Sequence, residues 1–512
     1  MGRQGVDARD DSTKAQQAHL AYSLAASLAS RLADTAGPWV AHDPARTKIM
    51  SVAPGIVEHM YEQLALWNNF KSTQTWPATV WQSWLDDGQM ARHNTKHDTP
   101  SLGQTNDRSA LTVLSMIDLF SGAGGLSFGL QRAGFHSLYA NELQGQYAQT
   151  YALNNPTTLV DSQDIRNVDA KEIRRVLGIA RGQLDLVAGG PPCQGFSINA
   201  PARSSDDKRN HLFKEFLRFV EEFQPRATLI ENVPGLVSFE NGQTLSAILA
   251  ALDLLGYDAS VRILYAPHFG VPQTRSRTII VGVRKSSGIV FNFPEATHDA
   301  PFRVNFTQTF QGKSLLHPIR NQATKPHTTV KDALSDLPLL LNGEVGPSIK
   351  DYRSAAQNAY QALLRSESTG VQNHEAPRLG SINLARLSHI PAGGNWTDIP
   401  FELLPPGMQR ARRSDHTKRY GRTHPDGLAS TILTKCDPHW GAYFHYAQDR
   451  VFSVREAARL QSFPDKYVFT GSRSQQYEQV GNAVPPLLGA AVGQAIAGSL
   501  VASITQESSL AS

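Results

Sequence analysis

The sequence predicts an α/β fold built around a mostly parallel sheet, and three observations carry that prediction. Short apolar, β-prone runs recur at residues 112–119, 137–140, 184–188, 227–230, 261–265 and 278–283. Segments with helical apolar spacing separate the earlier runs, for example 212–222 and 245–255. The first run also passes directly into a glycine-rich turn, Ser121-Gly122-Ala123-Gly124-Gly125. Strands that alternate with helices are joined by crossovers, which makes neighbouring strands parallel. In such sheets a ligand sits at the carboxyl ends of the strands, where glycine turns and helix N-termini leave backbone amides free.

The chain divides around this core. Residues 1–108 hold five of the seven tryptophans, Trp39, Trp67, Trp76, Trp81 and Trp84. Disordered tails are poor in aromatics. With helical spacing at 19–36 and 57–67, an N-terminal helical extension is expected, ended by a polar linker at 93–108. Residues 109–285 form the α/β domain. Residues 286–449 are rich in Pro, Gly, His and Asn without a sustained period, and read as a smaller, irregular domain. Helix-like segments at 454–461 and 485–499 then return the chain, over 450–505, to the α/β core.

Composition narrows the function classes. A chain of 512 residues exceeds one ordinary domain. Two cysteines provide neither a disulfide framework nor Cys-x-x-Cys zinc spacing, so no metal is expected. The N-terminus is polar without a signal-peptide core, and no run is read as a membrane span of about 20 apolar residues. A reducing, cytoplasmic setting is expected. Net charge is only +4. Between Gln409 and Thr423, however, lie Arg410, Arg412, Arg413, Lys418, Arg419 and Arg422 against the single acid Asp415. That stretch reads either as a solvated face or as a phosphate-contacting segment.

Several motifs carry chemistry. The turn Asp118-Leu119-Phe120-Ser121-Gly122-Ala123-Gly124-Gly125-Leu126 would bring backbone close to a ligand. Its glycine spacing is not that of a dinucleotide fingerprint. Glu142 follows the next strand at the distance from which an acid holds ribose hydroxyls. Asp164, before Ile165, is a third strand-end acid, suited to an adenine amino group or simply to starting a helix. Gly189-Gly190-Pro191-Pro192-Cys193-Gln194-Gly195-Phe196-Ser197 presents a cysteine in a loop that can become neither helix nor strand. Alone, such a thiol is more often a packed apolar side chain than a nucleophile. Glu231-Asn232-Val233 ends a buried run and places a carboxylate among apolar neighbours. In Gln273-Thr274-Arg275-Ser276-Arg277, alternation puts Arg275 and Arg277 on one side, where they suit an anion. Near the C-terminus come Arg455-Glu456-Ala457-Ala458-Arg459-Leu460-Gln461-Ser462-Phe463-Pro464-Asp465 and Gln479-Val480-Gly481-Asn482-Ala483-Val484-Pro485-Pro486.

In this order the set resembles the DNA (cytosine-5) methyltransferase family, as found in bacterial restriction-modification systems. The resemblance covers roughly residues 111–285 and 450–500, and residues 286–449 stand where the family keeps its target recognition domain. It implies a Rossmann-like S-adenosylmethionine-dependent methyltransferase core acting on duplex DNA, with no metal and with a restriction endonuclease as functional partner. A monomer is expected. It implies that Cys193 attacks carbon 6 of a flipped-out cytosine, that Glu231 shares a proton with ring nitrogen 3, and that Arg277, with Arg275 nearby, lies beside the base. Gln194 and Ser197 would fill the vacated space and touch phosphates. Phe120 and the backbone of Gly122, Ala123, Gly124 and Gly125 would line the cofactor pocket. Glu142 would hold the ribose, Asp164 and Ile165 the adenine, Pro192 and Leu212 the pocket wall, and Asn482 its far end. One departure stands out: after the ribose-binding acid the family often has an aromatic, and here it is Leu143. A Cys-His hydrolase lacks a histidine motif tied to Cys193. An RNA methyltransferase on the same fold is a nearer rival, and a binding protein without methyl transfer a more distant one.

Overall fold

The computed structural model describes residues 113–192, 212–302, 306–318, 324–345 and 348–510. The expected N-terminal helices and linker, and Cys193, Gln194 and Ser197, lie outside the described residues.

The core is a seven-stranded sheet in the order β3-β2-β1-β4-β5-β7-β6. Its strands are β1 (Leu114–Leu119), β2 (Phe135–Asn141), β3 (Leu159–Asp161), β4 (Leu186–Gly189), β5 (Ala227–Asn232), β6 (Tyr257–Tyr265) and β7 (Ser276–Arg284). The first five pair in parallel, and β7 runs antiparallel to both β5 and β6. Strands β1, β4 and β5 are buried almost along their whole length, as in a sheet covered on both faces. The short β3 carries only Leu-Val-Asp, so the sequence implied a strand before Asp164 without showing its bounds. The helices between strands are α1 (Gly125–Arg132), α2 (Gly145–Asn154), α3 (Ala170–Val176), α4 (Leu212–Phe223) and α5 (Gln243–Leu254). On α4, Phe216, Leu217, Phe219, Val220 and Phe223 are buried, as the 3.6-residue period requires.

Beyond the sheet come α6 (Val330–Leu334), α7 (Ala359–Arg365), α8 (Ser381–Leu387) and α9 (Pro406–Gln409). The chain ends with α10 (Val454–Leu460), α11 (Arg473–Asn482) and α12 (Pro486–Leu510). The stretch 286–449 splits between two cores. Leu379, Leu387, Trp396, Tyr420, Phe444 and Val451 belong to a cluster of their own. Val330, Leu364, Ala429, Ile432 and Tyr443 share a cluster with Phe452, Leu460, Phe463 and Val480. The C-terminal return is therefore glued to much of the irregular region as well as to the sheet.

One expectation needs correcting. Residues Arg473–Ser503 form a helical stretch long and apolar enough, by length and composition, to cross a membrane. Its apolar side chains have another use. Leu488, Val492, Ile496 and Leu500 of α12 are buried with Leu126 and Leu130 of α1 and with β1, β4 and β5 in the main core.

Candidate active site

The sheet order reverses between β1 and β4: the chain builds outward from β1 to β3, then returns to place β4 on the other side. At such a switch point the two connections diverge and leave a crevice. Register aligns the strand ends there, with Leu119 opposite Gly189 and Gly189 opposite Ile230. The glycine turn, the Gly190-Pro191-Pro192 segment and Glu231 therefore leave the sheet side by side.

The turn after β1 is strained in the way a ligand cradle needs. Phe120 and Gly122 both have positive φ, 57° and 56°. A Cβ on Gly122 would meet nothing within 4 Å, so the turn faces open space. Glu142 fixes that shape: its Oε2 accepts from the Gly122 amide at 2.9 Å and its Oε1 from the Gln144 amide at 2.8 Å. Tyr467 adds a hydroxyl hydrogen bond to the Ala123 carbonyl. Below the turn, Asp118 is 1% exposed and accepts from Ser127 Oγ at 2.5 Å, while Tyr151 donates to the same Ser127 oxygen. Burial pushes the Asp118 carboxyl up to about 7; the Ser127 hydrogen bond opposes this, and Glu142 and Glu231 add to it. Burial also raises Glu142, against its two amide donors. Asp118 Oδ1 and Ser121 Oγ are buried without a hydrogen-bond partner. Polar atoms left this way beside an open glycine turn fit a ligand with its own donors and acceptors.

Asp164 and Ile165 stand beyond β3. Ile165 is buried, while Asp164 caps a turn of 3-10 helix and ion-pairs with Arg166, which holds its carboxyl below the usual range. Pro192 and Leu212, which flank residues 193–211, are half-buried, and Asn482, the last residue of α11, is exposed.

Glu231 is the centre of the second half of the site. Arg277 Nε lies 2.5 Å from Glu231 Oε1, with both side chains nearly buried. Burial works against the Arg277 charge, and Glu231 supports it. Gly190 is the residue that lets the loop pass here, since a Cβ on it would stand 2.9 Å from Glu231 Oε2. Asn232 Nδ2 donates to the Pro191 carbonyl at 3.1 Å, tying the approach to Cys193 onto the end of β5. Asn232 and Gly190 belong to motifs visible in the sequence, but their roles show only when the strands are aligned.

The two arginines of 273–277 divide their tasks. Arg275 lies near Arg277 but donates from Nη1 to the Ile432 carbonyl at 3.0 Å and from Nη2 to the Gly481 carbonyl at 2.8 Å. It joins the 429–434 segment and α11 to β7, so the picture of two guanidinium groups converging on one anion is corrected to one facing Glu231 and one bracing backbone. Gln273 is fully buried and does the same, bonding Leu460, Gln461 and Ile432.

Of the basic stretch, Arg410, Arg412, Arg413 and Lys418 are exposed, and Arg413 also donates to the Thr397 carbonyl at 2.6 Å. Arg419 lies 5.3 Å from the Trp440 ring centre. Arg422 differs: it donates to the carbonyls of His445 and Ile390 and pairs with Asp449 at 2.6 Å. Its guanidinium is committed within the fold, which corrects its reading as a DNA contact. Cys436, the second cysteine, is 6% exposed and burial raises its thiol, so it is a packed side chain.

Comparison with known proteins agrees with this geometry. Residues 114–498 match the family model described as C-5 cytosine-specific DNA methylase. Among curated proteins, the type II methyltransferase M.AgeI of Thalassovita gelatinovora is 36% identical over 75% of this chain and 99% of its own. The type II methyltransferase M1.HphI of Haemophilus parahaemolyticus is 36% identical over 75% and 86%. Mouse DNA (cytosine-5)-methyltransferase 1 is 32% identical over 78% of this chain but only 29% of its own. A solved structure described as a DNA modification methyltransferase encoded within an E. coli prophage is 25% identical, covers 76% of this chain and 99% of its own, and superposes with a TM-score of 0.57.

Proposed function

The chain belongs to the C-5 cytosine-specific DNA methylase family and is a DNA (cytosine-5) methyltransferase, and on that premise we propose that it modifies a flipped-out cytosine in a specific duplex sequence through a Cys193-cytosine adduct. The observation that supports this most is the Glu231–Arg277 pair beside the Gly190-Pro191 approach to Cys193. A carboxyl held by one guanidinium, at a strand end next to a thiol loop, is what activation of a pyrimidine ring needs.

Carbon 5 of cytosine is a poor nucleophile. The Cys193 thiolate adds to carbon 6, and Glu231, oriented by Arg277, shares a proton with ring nitrogen 3 as charge builds there. The displaced electron pair makes carbon 5 nucleophilic. S-adenosylmethionine, when bound, supplies the methyl group as an electrophile. Loss of the carbon 5 proton to a base re-forms the ring double bond and expels Cys193. A stacked base cannot enter this crevice, so it leaves the duplex first; Gln194 and Ser197, in the loop after Cys193, then occupy its place.

The turn fits this cofactor. Its methionine part would meet Phe120 and the amides of Gly122, Ala123, Gly124 and Gly125, near the unpartnered Asp118 and Ser121 oxygens. Each Glu142 oxygen has already accepted one amide and keeps a lone pair for a ribose hydroxyl. Asp164 and Ile165 would face adenine, with Pro192, Leu212 and Asn482 closing the rim. Arg410, Arg412, Arg413, Lys418 and Arg419 would contact phosphates, held in place by Arg422. The likeness to type II methyltransferases supports a protective role beside a restriction endonuclease in a bacterial cytoplasm.

The test is methyl transfer from tritiated S-adenosylmethionine to duplex DNA or tRNA by the wild type and Cys193→Ala. Label is expected in DNA with the wild type alone, while Cys193→Ala still binds DNA. A 5-fluorocytosine duplex is expected to trap an adduct that peptide mapping places at Cys193; an adduct at Cys436, or label only in tRNA, would overturn the reading.

A further inference from the structure

Outside the strand-end site, Trp440 is the most exposed tryptophan or phenylalanine among the described residues, at 65%. A lone exposed aromatic needs no explanation by itself; the way this one is mounted does. Its backbone is fixed on every side. The Asp437 carboxylate accepts from the His439 amide at 2.9 Å and ring at 2.8 Å, and the Trp440 amide donates to the Asp437 carbonyl at 3.0 Å. The Tyr420 amide donates to the Pro438 carbonyl at 2.7 Å, and the buried Tyr420 ring packs 4.9 Å from His439. Cys436 anchors the start of the turn in the core. A rigid turn that leaves its indole uncovered presents that indole to something else.

The charge around it says what. Arg419 lies 5.3 Å from the indole centre, and among the described residues no carboxylate forms an ion pair with Arg419, Arg410, Arg412 or Lys418. An uncovered indole braced by a guanidinium, in a chain stretch whose other cations Arg410, Arg412 and Lys418 are exposed, suits the base edges and phosphates of a nucleic acid. The turn is also registered to the catalytic pair. Four residues before Cys436, Ile432 is gripped by Gln273 at 3.0 Å and Arg275 at 3.0 Å, two residues from the Arg277 that faces Glu231.

We propose that Trp440, braced by Arg419, packs against the groove edges of the base pairs beside the target cytosine and governs which duplex sequence opens into the site. This rests on the proposed methyl transfer to duplex DNA. Bisulfite sequencing of plasmid DNA treated with the wild type first identifies the methylated site. Trp440→Ala, Trp440→Phe and Arg419→Ala are then compared with the wild type on duplexes of that site, on single-base variants of it, and on a duplex with 2-aminopurine in place of the target cytosine. Trp440→Ala is expected to lower kcat/KM at the site roughly 10- to 100-fold. It is also expected to weaken the 2-aminopurine signal and narrow the gap between the site and its variants. Affinity for unrelated duplex DNA should change little. Trp440→Phe should recover most of the loss, and Arg419→Ala should fall between. Unchanged rates and discrimination in Trp440→Ala would overturn the proposal. So would equal loss of binding to cognate and unrelated DNA, or a change confined to the oligomeric state in size-exclusion chromatography. Absence of methylation by the wild type itself would instead sink the methyl-transfer reading.

Discussion

Two regions of this molecule bury charge equally deeply and treat it in opposite ways. Around α10, Arg450, Arg455 and Arg459 are all fully buried. Arg450 grips Glu456 with two bonds of 2.7 Å, and Arg459 reaches Asp336 at 2.5 Å and Asp465 at 2.6 Å. Arg455 donates to the carbonyls of Gln372, Pro464 and Tyr467. At the end of β1, by contrast, Asp118 has one oxygen bonded to Ser127 and the other bonded to nothing. Burial alone would raise Glu456, yet Arg450 holds it well below the usual carboxylate range; Asp118, equally buried and without a cation, is pushed up to about 7. Completed pairing marks architecture, here the joint between α10 and residues 330–372. Incomplete pairing beside an open turn marks the place where a ligand is expected.

The comparison breaks most visibly if the joint can lose a partner without harm. Arg459→Met leaves Asp336 and Asp465 buried without their shared guanidinium. Removing one member of a buried ion pair destabilises by about 3–5 kcal/mol. A large fall in thermal midpoint is expected, whereas Ser121→Ala, at the open turn, should barely move it. Equal midpoints for the wild type and Arg459→Met would mean that pairing around α10 is incidental.

Asp118 sharpens the other half. Its carboxyl titrates near 3.8 unfolded and about 7 folded, so the folded protein holds the extra proton between those values. Stability from this group is present below about pH 4 and lost as pH rises through about 7. Asp118→Asn removes that loss and keeps an acceptor for Ser127. The variant is expected to gain stability on the alkaline side, by up to about 4 kcal/mol, and to flatten the thermal midpoint between pH 4 and 7. A pH profile parallel to the wild type would show that Asp118 does not titrate in this window.

Much of this was legible in the chain. Runs such as 184–188 and 227–230 read as strands because a sheet covered on both faces needs no polar alternation. The motif residues that meet at the crevice, among them Gly122, Glu142, Glu231 and Arg277, sit at strand ends, where turn chemistry is local. What could not be read were partnerships between distant positions. Arg422 looked like its basic neighbours until Asp449 and the Ile390 carbonyl came beside it. Arg275 and Arg277 share a side by alternation, but only the approach of Ile432 and Gly481 separates a brace from a site residue. The three-residue β3 is too short for any period to show. The part of α12 up to Ser503, which carries no charged residue, satisfied the composition of a membrane span because it serves the sheet as a core helix.

The smallest effect concerns the rim of the open turn. Leu143 follows Glu142 and is 58% exposed, so more than half of its surface is uncovered at the position where the family often has an aromatic ring. If the turn is a cofactor site, a flat side chain there gains contact only when adenine is present. Leu143→Trp is therefore expected to tighten S-adenosylmethionine about three- to tenfold in calorimetric titration, matching the ~0.5–1.5 kcal/mol of a ring-on-ring contact. The thermal midpoint without cofactor should stay unchanged, since residue 143 touches no core. That pattern separates it from Arg459→Met, which should lower the midpoint with or without cofactor. A midpoint shift in the free protein, with no change in affinity, would move Leu143 from the site to the scaffold.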